Sequence, residues 1–149
     1  MELLICLLEF GDRKLLDKQV EVLAKLLNAD ILPGPNKQFD ILRQQLNEYF
    51  EGNRKEFSVP FIIPGTEFQQ FVWRGLLKIP YGSTVSYKQQ SLALNKPEAI
   101  RAVAHANGMN RIAIVIPCHR VIGSGGQLTG YSGGEERKKW LIEFEKSNK

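Results

Sequence analysis

Cys118 lies in the run Pro117-Cys118-His119-Arg120, at the exit of the unbroken apolar segment Ile112-Ala113-Ile114-Val115-Ile116. A thiol attacks well only as thiolate, and a neighbouring His or Arg lowers its pKa. Both residue types stand within two positions of this sulfur, so the run predicts an activated cysteine nucleophile. Neighbours in an extended chain point to opposite sides, so cooperation between Cys118 and His119 requires a bend or a bridging water. The alternative is a cysteine that serves as a small apolar filler. Cys6, in an apolar stretch with no basic neighbour, has that reading.

Other chemistries find less support. Cys6, Cys118, His105 and His119 are the available soft ligands and none are spaced as in a zinc finger, so no metal site and no cofactor is expected. The glycine-rich stretches lack both a phosphate-loop ending and a dinucleotide fingerprint. His105 reads as a surface or packing residue.

The elements that would position Cys118 follow from periodicity and punctuation. The apolar start, Met1 to Phe10, predicts a strand that turns at Gly11-Asp12. Asp17 is placed to cap a helix with Val20, Leu23, Leu26 and Leu27 on one face. A second helix carries Phe39, Leu42, Leu46 and Tyr49 inward, and Glu56 to Ile63 reads as extended. Pro64-Gly65 marks a domain boundary, dividing the chain into 1–63 and 64–149. Thr66-Glu67-Phe68-Gln69 and Ser86-Tyr87-Lys88-Gln89 both match the capping box. The short helix after Ser86, the break Asn95-Lys96-Pro97, and a helix opening at Pro97 with Ile100 and Val103 inward give a helix-turn-helix pattern. Ile112–Ile116 should be a buried strand or extended segment. Two glycine-rich loops precede a last helix from Glu135 to about Lys146.

At 149 residues, 43% apolar and 24% charged, the chain has an ordinary globular composition. No stretch approaches a membrane span, and the two cysteines fit no disulfide framework; a cytoplasmic location, or a nuclear one in a eukaryote, is expected. The net charge of +4 divides unevenly, −2 over 1–65 and +6 over 66–149. A basic second half suits a polyanionic partner.

Taken together, Ile116-Pro117-Cys118-His119-Arg120-Val121 resembles the active-site signature of the O6-alkylguanine-DNA alkyltransferases. Pro80-Tyr81-Gly82 through Ser86-Tyr87, Arg101-Ala102-Val103 and Asn107-Gly108-Met109-Asn110 resemble that family's DNA-binding segment. Leu128-Thr129-Gly130-Tyr131-Ser132-Gly133-Gly134, Lys138-Lys139-Trp140-Leu141 and Glu145 resemble its pocket loop and closing helix. The 27-residue separation of Cys118 and Glu145 fits the family's register.

The resemblance implies an α/β protein: a small, shortened, ribonuclease H-like N-terminal domain and a mainly helical C-terminal domain with a helix-turn-helix. It implies repair of O6-alkylguanine in double-stranded DNA, with O4-alkylthymine as a further substrate, by a monomer that acts once. Cys118 would accept the alkyl group, His119 would take the thiol proton through a water, and Glu145 would orient His119. Asn110 would hold the turn beside the nucleophile, and Tyr87 would protonate the departing guanine. Arg101 would fill the stack vacated by the flipped base, beside Ala102 in the minor groove. Val121, Tyr131 and Ser132 would form the base pocket, with Lys138 assisting and with Lys88 and Ser124 on the DNA backbone.

The sequence departs from the family pattern in places. The N-terminal strand region is short, and the residues that bind zinc in some members are absent. Arg111 stands where a proline is common, and Asn95-Lys96-Pro97 replaces a glycine-containing turn; both would tune DNA contact. A DNA-binding module without catalysis and a cysteine hydrolase using Cys118, His119 and Glu145 are the competing readings.

Overall fold

The computed structural model describes residues 3–149. Met1 and Glu2, which open the expected N-terminal strand, lie outside that range. Six α-helices, one 3₁₀ turn and a two-stranded parallel sheet make up the regular structure of the described residues.

The first 65 residues carry two helices, α1 (Leu16–Leu27) and α2 (Lys37–Phe50). Asp17 does not cap α1. It falls inside the first turn, favourably placed against the helix dipole, and Leu15 occupies the cap position without a side-chain bond. Of the expected apolar face, Leu23 is buried but Leu26 is half exposed. In α2, Asn36 caps through Gln38 N–H, Leu42 and Tyr49 are buried, and Phe39 faces out.

The expected strand at the N-terminus is reduced to single bridges. Ile5 pairs with Phe61 and Leu8 with Ile112, both parallel. Leu8 N–H donates to Arg111 O and Ala113 N–H to Leu8 O, each at 2.9 Å. The start of the chain is thereby stitched to the segment that precedes Cys118.

Beyond residue 65 the punctuation read from sequence is realised at two helix starts and departs at the third. Both capping boxes form, Thr66 with Gln69 at the head of α3 (Glu67–Leu76) and Ser86 with Gln89 at the head of α4 (Tyr87–Ala93). The helix after the turn, α5, spans Ile100–Gly108. Pro97 therefore lies in the connection rather than at the first helical position, and Asn95 turns the chain in the left-handed region at φ 59°. Ile100, expected inward, is 37% exposed at the first position of α5, whereas Val103, as expected, and Ala106 pack on Val72 of α3. Trp73 Nε1–H donates to Ala106 O at 2.8 Å. Gln90 and Asn107 exchange two amide hydrogen bonds, at 2.9 and 2.7 Å, which lock α4 against α5.

Ile112–Ile116 is fully buried as expected, yet it is no strand. Val115 N–H bonds back to Ala113 O at 2.8 Å around Ile114, whose φ is +71°. That is the rare, strained form of γ-turn, at a cost of order 1–3 kcal/mol. The surrounding core, with Trp73, Leu76 and Ile79, holds it in place. β1 (Val85–Ser86) pairs with β2 (Val121–Ile122), and α6 (Glu135–Ser147) packs on the turn at residues 118–120 that leads into β2. No helix among the described residues is long and apolar enough to cross a membrane.

Candidate active site

The bend required between Cys118 and His119 exists. Pro117, at φ −83° and ψ 62°, centres a second γ-turn closed by Cys118 N–H on Ile116 O. Residues 118–120 then form one turn of 3₁₀ helix. Successive side chains of such a turn diverge by about a third of a revolution. Cys118 thus points to Asn110 while His119 and Arg120 turn away from it, and all three remain buried.

His119 and Arg120 both reach Glu145, from α6. His119 Nε2 lies 2.7 Å from Glu145 Oε2. Arg120 donates Nε–H to Oε1 at 2.8 Å, Nη2–H to Oε2 at 3.1 Å and Nη1–H to Ile79 O at 2.7 Å. Gly82 N–H reaches Oε1 at 3.3 Å, and the hydroxyl of Tyr49 donates to Oε2 at 2.7 Å. Burial works against the charge on Glu145, but these donors, led by His119 and Arg120, hold its pKa down at about 2. A carboxylate ionised at neutral pH only accepts, so His119 carries its proton on Nε2. Burial depresses the His119 pKa despite the opposing pull of Glu145, so the ring is neutral. Nδ1 is then a lone pair, with no protein partner among the described residues.

The thiol is not activated in the way the sequence suggested. Arg120 faces Glu145 rather than the sulfur. Burial pushes Cys118 up to about 11, outweighing the hydrogen bond from Asn110 and the positive charges of Lys138 and Arg13. At rest Cys118 is a neutral thiol, 5% exposed.

Asn110, just past α5, organises the turn. Its Nδ2 donates to Ile116 O at 2.8 Å and lies 3.2 Å from Cys118 Sγ, while its Oδ1 accepts from Ile112 N–H at 3.1 Å. Arg111, expected to tune DNA contact, is buried. It donates Nε–H to Pro64 O at 2.6 Å and packs over Trp73, so its work is internal.

Tyr87 opens α4, and its hydroxyl donates to Thr129 O at 3.3 Å and lies 3.4 Å from Lys138 Nζ. Lys138 is almost wholly buried; desolvation lowers its pKa, and the nearby Cys118 opposes that. Val121 is buried in β2, its N–H already bonded to Cys118 O. Tyr131 and Ser132 line an open cleft of about 840 Å³, together with Met109, His105 and Arg13. That size falls within the roughly 300–1,000 Å³ of small-molecule sites. Cys118 itself does not line it. The Tyr131 hydroxyl is buried without a protein partner among the described residues. Gly133 is required in this loop, because a Cβ there would come within 2.6–2.7 Å of the Phe10 and Tyr131 rings. Arg101, Ala102, Lys88 and Ser124 are exposed, the first two on α5. Among the described residues no group of three His, Cys, Asp or Glu side chains could hold a metal.

Sequence reasoning assigned Tyr49 to an apolar stripe and gave Arg120 the wrong partner. A tyrosine on the buried face of α2 carries a hydroxyl that must find an acceptor, which is the signal that was present. The Glu145 link could not be read, since 96 residues separate the two.

Residues 67–147 match the family described as 6-O-methylguanine DNA methyltransferase, DNA binding domain, and residues 2–63 match its ribonuclease-like domain. A Mycobacterium tuberculosis protein named methylated-DNA--protein-cysteine methyltransferase is 56% identical over 103 residues, 69% of this chain and 62% of that protein. The inducible methylated-DNA--protein-cysteine methyltransferase of Bacillus subtilis is 42% identical over 136 residues, 91% of this chain and 76% of the relative. A crystal structure of Mycobacterium tuberculosis OGT in complex with DNA superposes with a TM-score of 0.72 at 54% identity, covering 74% of this chain and 68% of that one. The chain spans less than two thirds of the mycobacterial relative's length. With both halves matched in order and a relative this similar, the chain belongs to the 6-O-methylguanine DNA methyltransferase family.

Proposed function

We propose that this chain repairs O6-alkylguanine in double-stranded DNA by transferring the alkyl group, once and irreversibly, to Cys118. The observation that carries this reading is the buried thiol held by Asn110 in the same turn as a neutral His119, whose ring is fixed by an ionised Glu145.

In this reading residues 1–63 form a supporting domain and 64–149 hold the chemistry. The exposed Arg101 and Ala102 of α5 enter the minor groove, Arg101 filling the stack after the base is extruded, at a cost of a few kcal/mol. Lys88 and Ser124 contact phosphates without reading sequence. The guanine enters beside Tyr131 and Ser132, with the Val121 backbone and Lys138 along the wall. The Cys118 sulfur attacks the alkyl carbon as the carbon–O6 bond breaks, and the electron pair moves into the guanine ring. His119 Nδ1 takes the thiol proton through a relaying water, and Tyr87 supplies a proton to the leaving base. Because a free thiolate is scarce with a pKa near 11, proton removal and attack run together. The thioether product has no route to hydrolysis, so each molecule serves once.

Intact-mass measurement after mixing with DNA containing O6-methylguanine tests this. The expected result is a gain of one methylene, on the peptide bearing Cys118, in one-to-one stoichiometry. No gain with demonstrated DNA binding would make the chain a binding module, and continued turnover would make it a hydrolase.

A further inference from the structure

Tyr49 belongs to α2, far along the chain from the cysteine turn, yet its hydroxyl reaches the same Glu145 oxygen that His119 uses. Tyr49 is completely buried. Its ring is boxed by Phe57, Phe144 and Tyr81, with centroids 5.6, 5.8 and 6.1 Å away. The box leaves the hydroxyl one direction to point, and Oε2 lies there at 2.7 Å. Three donors converge on that oxygen: Tyr49, His119 and Nη2 of Arg120.

We infer that Tyr49 is a positioning residue for the transfer reaction, its hydroxyl fixing the Glu145 carboxylate so that His119 stays neutral with Nδ1 free to take the thiol proton. This rests on the transfer reading above and assigns it a component from the N-terminal part of the chain. The physical argument is competition for one acceptor. A carboxylate shared with a phenol attracts the His119 N–H less strongly than one that is not, and its own affinity for a proton is lower. Burial and the neighbouring carboxylate push the Tyr49 phenol well above its usual range, so it remains a donor at every working pH. The other groups facing the pair are Arg120 on the cysteine turn, Lys138 on α6, and Tyr81 with the Gly82 N–H ahead of β1.

The experiment compares Tyr49→Phe with the unaltered chain across about pH 5 to 9, where a general base shows its titration. Phe keeps the ring in its box and removes only the donor. Two rates are followed by peptide mass: methyl transfer to Cys118 from O6-methylguanine DNA, and carbamidomethylation of Cys118 by iodoacetamide. In Y49F the acid limb of both profiles should move up by about half to one pH unit. Phe144→Leu trims the same aromatic box without touching Glu145. It should lower the melting temperature at least as much as Y49F while leaving the acid limb in place. A Y49F profile that superimposes on the unaltered one, or an equal shift in F144L, overturns the inference. Failure of the unaltered chain to accept methyl from DNA, alongside a shifted Y49F profile with iodoacetamide, sinks the repair reading and leaves the role of Tyr49 standing.

Discussion

Arg120 grips Glu145 with two prongs, Nε to Oε1 at 2.8 Å and Nη2 to Oε2 at 3.1 Å, in a site where both side chains are shielded from water. A planar fork on a carboxylate is geometrically specific, and a lysine cannot reproduce it. Removing the fork strands a buried charge. Arg120→Ala should therefore cost about 3–5 kcal/mol in urea unfolding, and Arg120→Lys should recover only part of it.

The same cluster sets a pH dependence. Glu145 titrates at about 2 when folded and at roughly 4.3 when unfolded, so its contribution is complete above the unfolded value and is lost as pH falls toward the folded one. His119 has a depressed pKa in the folded state, so protons favour the unfolded chain below roughly pH 6.5. Both effects have one sign. The urea midpoint should fall steadily as pH drops from about 6.5 toward 2, and His119→Asn should flatten the upper part of that decline.

Asn110 holds three parts of the cysteine turn through one amide. Asn110→Ala leaves the Ile112 N–H unpaired in the core and takes from the Ile116 carbonyl one of its two donors, the other being Cys118 N–H, which should cost about 1–3 kcal/mol. It also removes a donor that lowers the thiol pKa. Thiolate absorbance of the Cys118 peptide environment, followed against pH, should show the sulfur titrating above its present value of about 11.

Arg101 is exposed on α5. Arg101→Ala should change stability by less than about 0.5 kcal/mol. Under the proposed function it should slow transfer from duplex DNA about tenfold or more while sparing transfer from the free O6-alkylated base, because only the duplex requires extrusion. Equal losses on both substrates would reject a base-extrusion role.

Gly133→Ala forces a methyl into the Phe10 and Tyr131 rings. Under the proposed function it should weaken transfer more than it weakens DNA binding, as a displaced Tyr131 would close the base pocket from the side. Rates and gel-shift affinities measured on the same preparation separate the two.

Much of this molecule was legible in its residues. Thr66 with Gln69 and Ser86 with Gln89 announced two helix starts, because a capping box is local chemistry that tertiary packing rarely overrides. The spacing of Cys118 and Glu145 could be read through resemblance. Ile112–Ile116 misled, since an apolar run reports burial and not conformation, and Ile114 adopts a positive φ that no propensity favours. Pro97 misled in the opposite way, fitting a helix start as well as it fits the connection it occupies. The resting state of Cys118 misled most. Flanking His and Arg count toward acidity only if they face the sulfur, and the 3₁₀ turn sends them to Glu145.

With its pKa pushed up to about 11, Cys118 is overwhelmingly the protonated thiol at neutral pH. Peroxides, disulfides and stray electrophiles all consume the ionised form. Under the proposed function, in which the sulfur is spent a single time, burial thus keeps it in reserve, slow to react with casual oxidants.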